Sequence, residues 1–286
     1  MLGIVIVNYR NYPLTEKYVT EELPKIRIPY KAVVVDNGAT AQESAALEQK
    51  TGVKVIPHSN EGFAIGNNVG LMYLVNHFDI DYVLFSNTDI HFQSGNTVER
   101  MIEKMASDER IGILGPQIIG LDGQRQSPEP YIGMWDRYVL VYLATPFMSP
   151  EAKRKRFYLN YATEAQEGFH YKLMGSFFLC RAKDLLLIDG FDPNTFLYAE
   201  EMILSERMKT IGKRAYFYPE VTVVHEHGAT INSRLSEKKR AVSQWESDSY
   251  YYRQYKGYSR LSCLVVGFFF RFHLFIQLLK IRSPKI

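Results

Sequence analysis

The feature that most constrains the fold of this 286-residue chain is a regular alternation of short apolar runs with segments of helical periodicity. The apolar runs predict strands at Gly3–Asn8, Ala32–Asp36, Val53–Ile56, Tyr82–Asn87 and Ile111–Ile119. The segments between them predict helices at Pro13–Leu23, Phe63–His77 and Thr97–Ala106. Apolar runs that alternate with helices are typical of parallel strands covered on both faces. The chain is therefore predicted to have an α/β fold, with a mostly parallel sheet flanked by helices.

The pattern changes in the second half of the chain. Residues 124–170 are rich in aromatic and charged side chains and show no clean period, so helices and loops are expected there. Regular elements then return as predicted strands at Lys172–Arg181, Arg214–Tyr218 and Val221–Val224, and predicted helices at Ala182–Ile188 and Glu200–Ile211. A change of composition near Asn232 predicts a boundary between a main domain, residues 1–231, and a C-terminal helical region, residues 232–286.

A polar cluster, Ser86–Asp89, directly follows the apolar run Tyr82–Phe85. In open α/β sheets, ligands gather beyond the carboxyl ends of the strands, where Asp89 would hold a metal ion or a phosphate. An Asx-turn after the strand explains the same residues equally well when they are taken alone. Five polar residues are nevertheless predicted at one edge of the sheet, each after a strand or near a helix start: Asp36, Asn67, Asp89, Glu201 and His225. This convergence favours a binding site.

The segment Asn60–Gly70 joins a predicted strand to a helix and carries glycines at 62, 66 and 70. Glycines allow a close backbone approach, and the start of a helix favours an anion such as a diphosphate. The spacing matches neither the dinucleotide-binding motif nor a P-loop, which argues against NAD binding and ordinary NTPase chemistry. Packing of the helix against the sheet is the alternative explanation for Gly66 and Gly70.

Two acidic residues, Glu200 and Glu201, stand together at a predicted helix start, where acidic side chains also stabilise the helix. Adjacent helical residues point about 100° apart, so only one of the two faces a reacting group directly. His225 and His227 follow an apolar strand, and a solvated loop position is the simpler interpretation of His227.

Four sequence blocks together resemble the family 2 inverting glycosyltransferases, which have a glycosyltransferase-A fold. The blocks are Val35–Gly38, Asn60–Gly70, Ser86–Asp89, and Gly190–Arg207 with His225 beyond it. The subgroup that the chain most resembles is the bacterial rhamnosyltransferase-like one, which assembles surface polysaccharides. The resemblance implies that residues 1–231 form the catalytic domain. It also implies transfer of a sugar such as rhamnose from a nucleotide-diphospho-sugar to a saccharide or lipid-linked acceptor.

The resemblance also assigns roles to individual residues. It implies that Glu201 is the general base, and that Asp89 and His225 bind a divalent metal ion, Mn²⁺ or Mg²⁺. The residues implied in binding the nucleotide are Val7, Asn8, Tyr9, Asp36, Asn67 and Asn87. The residues implied near the donor and acceptor sugars are Gly175, Ser176 and Glu200. The chain departs from the family pattern at Asn87 and Glu201, which stand where aspartates are common, and at Ile203, where many relatives have another acid.

The C-terminal region suggests a membrane surface. It carries 11 basic and three acidic residues, a net charge of +8 in a chain whose total is +3. Leu261–Leu279 is the most apolar stretch, but Arg271 interrupts it, and a central charge costs a spanning helix roughly 2.5–3.5 kcal/mol. Arg260, Arg271 and Arg282 recur every 11 residues and form one cationic stripe. The stretch is therefore predicted to lie on an anionic membrane, and packing against protein is the alternative.

The remaining features predict a cytoplasmic protein at the inner face of the cell membrane. The chain begins almost directly with a strand instead of a signal peptide. Two rival functions stay open on the sequence: a non-catalytic homologue that binds sugar nucleotides or polysaccharide, and a nucleotidyltransferase. Binding to nucleic acid is not expected, because the aromatic residues of the basic tail lie among long aliphatic runs.

Overall fold

The computed structural model describes residues 1–157, 160–226 and 237–282, with side chains of the last helix described up to residue 276. The predicted boundary near Asn232 and the predicted loop histidine His227 lie outside the described residues, as does the side chain of Arg282.

The first part of the chain forms strands and helices in close alternation. In order they are β1 (Leu2–Asn8), α1 (Tyr12–Lys17), β2 (Tyr30–Asn37), α2 (Ala41–Thr51), β3 (Lys54–His58), α3 (Phe63–His77), β4 (Tyr82–Ser86), β5 (Ile90–Phe92), α4 (Thr97–Ser107) and β6 (Ile111–Gly120). A π turn, Tyr18–Glu22, and a 3₁₀ turn, Leu23–Lys25, extend α1. Helix α3 has the predicted bounds.

The second part begins with short helical pieces, as the lack of a clean period predicts. These are a π turn (Asp136–Leu140), α5 (Val141–Leu143), a 3₁₀ turn (Thr145–Phe147), α6 (Pro150–Phe157) and α7 (Tyr161–Glu164). The elements that follow are β7 (Gly168–His170), β8 (Phe177–Arg181), α8 (Ala182–Leu187), α9 (Glu200–Thr210), β9 (Arg214–His225), α10 (Glu237–Tyr255) and α11 (Arg260–Arg282).

Within the described residues, the strands form one nine-stranded sheet with the order β3-β2-β1-β4-β8-β6-β9-β5, and β7 pairs with β9. The strands β1 to β4 pair in parallel. Strand β8 runs antiparallel to both β4 and β6, and β6 pairs in parallel with β9. Strands β5 and β7 are antiparallel to β9. Six of these nine strands therefore share one direction, so the sheet is mostly parallel.

Two strand predictions are wrong in their bounds. Strand β8 begins at Phe177 rather than at Lys172, because Gly175 and Ser176 leave the sheet and run beside α9 and the end of β4. The two strands predicted at 214–218 and 221–224 are one continuous strand, β9, whose register with β6 shifts near Gln117. The irregularity allows β9 to pass Pro219 without ending.

Apolar clusters cover both faces of the sheet. One cluster joins the sheet to α1 and α4, and a second joins it to α3, α8 and α9. Helix α3 lies close to the strands, because a Cβ on Gly70 would come within 2.5 Å of Val5 and one on Gly66 within 3.2 Å of Val7. Both glycines therefore serve the packing that the sequence offered as an alternative explanation.

A third cluster connects the two C-terminal helices to the rest of the protein. It contains Trp245, Tyr251 and Tyr252 of α10 together with Met202 and Ile203 of α9. Cys263 and Val266 of α11 join the same cluster. No helix among the described residues is long and apolar enough to cross a membrane. The predicted alternative, packing of α11 against protein, therefore holds for one face of this helix.

Candidate active site

The topology brings the predicted site residues to one edge of the sheet. Strands β2, β4 and β9 run in the same direction, so Asp36, Asp89 and His225 lie at or just beyond the same ends. Strand β8 runs the opposite way, so the residues that precede it, Gly175 and Ser176, lie at this edge as well. The amide of Asn87 donates to the carbonyl oxygen of Ser176 at 2.8 Å. The convergence predicted from strand order is thus a feature of the fold.

The predicted nucleobase pocket is built around Asp36. Its Oδ1 accepts a hydrogen bond from Asn8 Nδ2 at 2.7 Å, and its Oδ2 accepts one from Ser44 Oγ at 3.0 Å. Burial raises the pKa of Asp36, and these two hydrogen bonds oppose the rise. Asp36 is fully buried, whereas Tyr9 is 36% exposed. The surface that this pocket offers to a ligand therefore includes the ring of Tyr9.

Two adjacent asparagines in the first turns of α3 have different surroundings. Asn67, a predicted nucleotide-binding residue, is buried, and its Nδ2 donates to the carbonyl oxygen of Phe63 within the same helix at 3.0 Å. Asn68 bonds twice to Phe191, because Nδ2 donates to its carbonyl oxygen and Oδ1 accepts from its amide, both at 2.8 Å. Asn68 was not singled out from the sequence, yet it fixes the loop that leads to α9.

Asp89 and His225 form the pair predicted to bind metal. Asp89 Oδ1 lies 3.3 Å from His225 Nε2, and both side chains are buried. His225 Nδ1 lies 2.7 Å from Oε1 of Gln126. An amide oxygen only accepts, so Nδ1 is the donor in this contact, and Nε2 is the ring nitrogen that faces Asp89. Gln126 thus orients the imidazole, a role that no pattern in the sequence indicates.

This arrangement fits a divalent cation. Carboxylate oxygen and imidazole nitrogen are ligands that suit Mn²⁺, and here the two face each other. Ligands at about 2.1 Å from an octahedral ion lie about 3 Å apart, close to the separation of this pair. Among the residues that the structure describes, no third His, Cys, Asp or Glu completes a metal-binding group. Substrate phosphates and water commonly fill the remaining positions of such ions.

Glu201 lies beside Gly175 and Ser176, the segment predicted to lie near the donor sugar. Its Oε1 accepts a hydrogen bond from the amide of Gly175 at 3.1 Å. A Cβ at position 175 would come within 2.3 Å of this same oxygen, so only glycine leaves room for the carboxylate here. Since Ser176 is bonded to Asn87, one short segment connects the predicted base with the end of β4.

The backbone before α9 is strained. Tyr198 and Ala199, which precede the two glutamates, have φ values of 75° and 68°. Such values are uncommon outside glycine and cost on the order of 1–3 kcal/mol per residue, so they persist only where the surroundings enforce them. Here the surroundings include the burial of Ala199 in the third cluster and the bond from Ser247 Oγ to the carbonyl oxygen of Leu197 at 2.8 Å. The strain sets the direction in which α9 presents Glu200 and Glu201.

The carboxyl group of Glu200 has a different environment from that of Glu201. Its side chain is 4% exposed, and its Oε1 has no hydrogen-bond partner among the described residues. Burial, followed by the charge of Glu201, raises the pKa of Glu200 from 4.5 to about 8. A neutral Glu200 adds no negative charge beside Glu201 near neutral pH.

The raised pKa makes a prediction about stability. Between pH 4.5 and about 8, Glu200 loses its proton in the unfolded chain but keeps it in the folded protein. The free energy of unfolding therefore falls as the pH rises through this window. Glu200→Gln is expected to remove this fall, so the variant gains stability relative to the wild type from pH 5 to pH 8. Urea unfolding at both pH values measures the difference, with the exposed Glu246→Gln as control. Equal pH dependence in Glu200→Gln and the wild type would contradict the raised pKa.

The geometry is matched by a family relationship. Residues 3–171, more than half of the chain, match the sequence pattern of glycosyl transferase family 2. The chain belongs to this family. The family and the enzyme class predicted from the sequence are confirmed, including the inverting type. The family match ends before β8, α9 and β9, so it covers neither Glu201 nor His225.

Known relatives of this family 2 glycosyltransferase include rhamnosyltransferases. It is 24% identical over 234 residues to N-acetylglucosaminyl-diphospho-decaprenol L-rhamnosyltransferase of Mycobacterium tuberculosis. The alignment covers 79% of this chain and 76% of the relative. It is 22% identical to rhamnosyltransferase WbbL of Escherichia coli K12, over 79% of this chain and 83% of the relative. The rhamnosyltransferase-like resemblance is thereby confirmed.

Solved structures confirm the glycosyltransferase-A fold. Mannosyltransferase PcManGT from Pyrobaculum calidifontis, solved in complex with GDP-Man and Mn²⁺, has a TM-score of 0.55 at 16% identity. The match covers 88% of this chain and 64% of PcManGT, so the chain spans somewhat less than two thirds of that protein. GalNAc-T7, solved with UDP, GalNAc and Mn²⁺, has a TM-score of 0.54 at 14% identity and matches 88% of this chain and 48% of its own.

Proposed function

We propose that this enzyme transfers rhamnose from a nucleotide-diphospho-sugar to a saccharide or lipid-linked acceptor in the synthesis of a surface polysaccharide. The observation that carries the proposal is the alignment of 79% of the chain with two rhamnosyltransferases, one named for a diphospho-decaprenol acceptor. The site supports it, because a carboxylate, an acid–histidine pair and a small-residue segment meet at one sheet edge.

In this proposal Glu201 acts as the general base. Its carboxylate takes the proton of an acceptor hydroxyl while that oxygen attacks the anomeric carbon of the donor and the bond to the diphosphate breaks. The amide of Gly175 holds Glu201 Oε1 in place and leaves Oε2 for the acceptor. Glu200 supports the site as a neutral neighbour near the acceptor. A single displacement of this kind inverts the configuration at the anomeric carbon.

Asp89 and His225 would hold Mn²⁺ or Mg²⁺ in this proposal. When bound, the ion neutralises the charge that develops on the leaving diphosphate. The nucleotide would lie along Val7, Asn8, Tyr9, Asp36 and Asn87, with Tyr9 as the exposed ring and Asp36 supporting Asn8 from below. Asn67 would bind the nucleotide from its position in α3. Gly175 and Ser176 would line the donor sugar.

The proposal also includes a location. We infer that residues 1–231 form the catalytic domain and residues 232–286 a region that contacts the anionic inner face of the cell membrane from the cytoplasm. The exposed apolar face of α11, with Phe268 and Phe272, supports this inference. A lipid-linked acceptor would be reached from such a position.

Gln126 provides a test of the metal site that does not depend on turnover. Gln126→Leu removes the acceptor of the His225 Nδ1 proton, so the imidazole loses its fixed orientation. The affinity for Mn²⁺ in the presence of a nucleoside diphosphate is expected to fall about 10–100-fold. Isothermal titration measures it, with Gln124→Leu, exposed in the preceding turn, as the matched control. Unchanged Mn²⁺ affinity in Gln126→Leu would show that this contact does not tune a metal site.

The function itself is tested by a direct transfer assay. The purified protein is incubated with Mn²⁺, a polyprenyl-diphospho-N-acetylglucosamine acceptor and a panel of nucleoside-diphosphate sugars. We expect a rhamnose donor to give a product one deoxyhexose larger, together with free nucleoside diphosphate. Transfer of another sugar in preference to rhamnose would refute the proposed donor, and release of nucleotide without product would refute the proposed acceptor.

A further inference from the structure

Helix α11 has two apolar faces, and only one of them is used inside the protein. On the inner face, Val266 is buried, and Phe270 packs its ring 5.4 Å from Trp245 and 5.7 Å from Tyr138. His273 stacks on Tyr142 at 3.6 Å. The outer face is 38–71% exposed and carries Leu261, Leu264, Val265, Phe268, Phe272 and Phe275. At 100° per residue these six positions fall on one side of the helix.

A second exposed apolar segment lies alongside α11. This segment, residues 140–147, presents Leu140 (37%), Tyr142 (42%), Leu143 (55%) and Phe147 (89%) to solvent. It follows directly on Tyr138, which packs against Phe270, and its own Tyr142 contacts His273. Two parts of the chain that are more than 110 residues apart in sequence therefore contact each other, and each exposes large apolar side chains. Exposed apolar surface of this extent marks an interaction site.

The charge around this surface is positive. Arg260 and Arg271 are exposed and 11 residues apart, which is close to three whole turns, so both lie on one border of the outer face. Helix α6, which begins three residues after Phe147, carries the basic run Lys153–Arg156 and one acidic residue, Glu151; Arg156 of this run pairs with Asp136. The sequence of α11 contains no acidic residue. An apolar face with a basic border fits the headgroup region of an anionic leaflet better than a protein interface, whose core excludes charge and whose rim is mixed.

Helix α11 is connected through α10 to α9, the helix that carries Glu201. Helix α10 lies between α11 and α9, and its Trp245, Tyr251 and Tyr252 share one apolar cluster with Val266 on one side and Met202 on the other. A surface that is attached to α9 in this way has a defined position relative to Glu201. An acceptor anchored in the same leaflet would then meet the base at a fixed height above the lipid.

We propose that α11 and segment 140–147 form one composite docking surface that lies in the headgroup region of an anionic membrane. This inference rests on the membrane contact included in the proposed function and adds the second element, segment 140–147. The helix lies in the plane of the interface, with Arg260 and Arg271 at the phosphates and the two sets of apolar side chains inserted below them.

Vesicle flotation tests the proposal without any transfer reaction. The full-length protein is mixed with phosphatidylcholine vesicles with or without phosphatidylglycerol. We expect flotation only with the anionic vesicles. The double variants Leu143→Ser/Phe147→Ser and Phe268→Ser/Phe272→Ser should each lower the partition coefficient at least about tenfold. The matched control, Leu186→Ser/Leu187→Ser, removes two exposed leucines from α8 and should float like the wild type. Arg260→Gln/Arg271→Gln should lose the preference for anionic lipid.

The outcomes separate the possibilities. Wild-type flotation by Leu143→Ser/Phe147→Ser would overturn the composite surface and leave α11 alone. A failure of the wild type to float would overturn membrane docking. A shift from dimer to monomer in the apolar variants, without loss of flotation, would also overturn it and would indicate an interface between two copies. Transfer to a water-soluble acceptor should be equal in the wild type and all four double variants. Absent transfer with intact flotation would refute the proposed function and leave the docking surface standing.

Discussion

Replacing Glu201 with glutamine is expected to lower kcat by about 10²–10⁴, the usual contribution of a positioned general base. Glutamine has nearly the same size, and its Oε1 still accepts the hydrogen bond from the Gly175 amide, so the local structure is kept. What it loses is the ability to take a proton from the acceptor. Release of nucleoside diphosphate at saturating donor and acceptor measures kcat, and thermal shift with donor alone measures binding.

Two further variants make this test specific. Glu103→Gln changes an exposed glutamate on α4 and is expected to leave kcat unchanged. Glu201→Asp keeps a carboxylate on a side chain that is one methylene shorter, and should retain more activity than Glu201→Gln. If Glu201→Gln transferred sugar at the native rate with normal donor binding, the base would have to lie elsewhere in the site.

Replacing Asp89 with asparagine is expected to have an effect of similar size. The change keeps the shape of the side chain but removes the negative charge that faces Nε2 of His225 at 3.3 Å. Charge stabilisation by a bound metal ion contributes several kcal/mol, which corresponds to about 10²–10³ in kcat/KM. Titration of Mn²⁺ into the protein with nucleoside diphosphate should show weaker binding, and excess Mn²⁺ should restore part of the rate.

The matched control for this variant is Asp79→Asn. Asp79 is exposed and lies just before β4, at the other end of the strand that Asp89 follows. It should keep the native rate and the native dependence on Mn²⁺. Native Mn²⁺ dependence in Asp89→Asn would instead show that Asp89 is a turn residue, which is the alternative interpretation that the sequence also allowed.

Much of the site could be predicted because strand direction and side-chain chemistry are both local properties of the sequence. Each apolar run ends in its own polar residue, and strands of one direction place those residues at one edge. This reasoning identified Asp36, Asp89 and His225, and the structure brings the last two into contact. The bounds of α3 could be predicted because Asn60–Gly62 mark its start and the apolar period marks its extent.

The parts that were missed depend on contacts between distant segments. Gln126 acquires its role only when β9 places His225 beside it, 99 residues later. The shortened β8 results from Gly175 bonding to Glu201 on another element. Helix α2 is a different case, because its capping box, Thr40 with Glu43, and its terminal Gly52 at φ 68° are visible in the sequence. These residues alone are enough to predict α2.

The placement of β8 has a consequence for how the two halves of the enzyme stay aligned. Five residues, Phe177–Arg181, form the seam between the half-sheet β3-β2-β1-β4, which ends in Asp36 and Asn87, and the half-sheet that carries His225. A slip of this seam by two residues would keep every side chain on its own face, yet it would shift one half against the other by about 7 Å. Such a shift is about twice the 3.3 Å that separates Asp89 Oδ1 from His225 Nε2. Alignment of the proposed donor and metal subsites is therefore a matter of strand register, set at Phe177–Arg181.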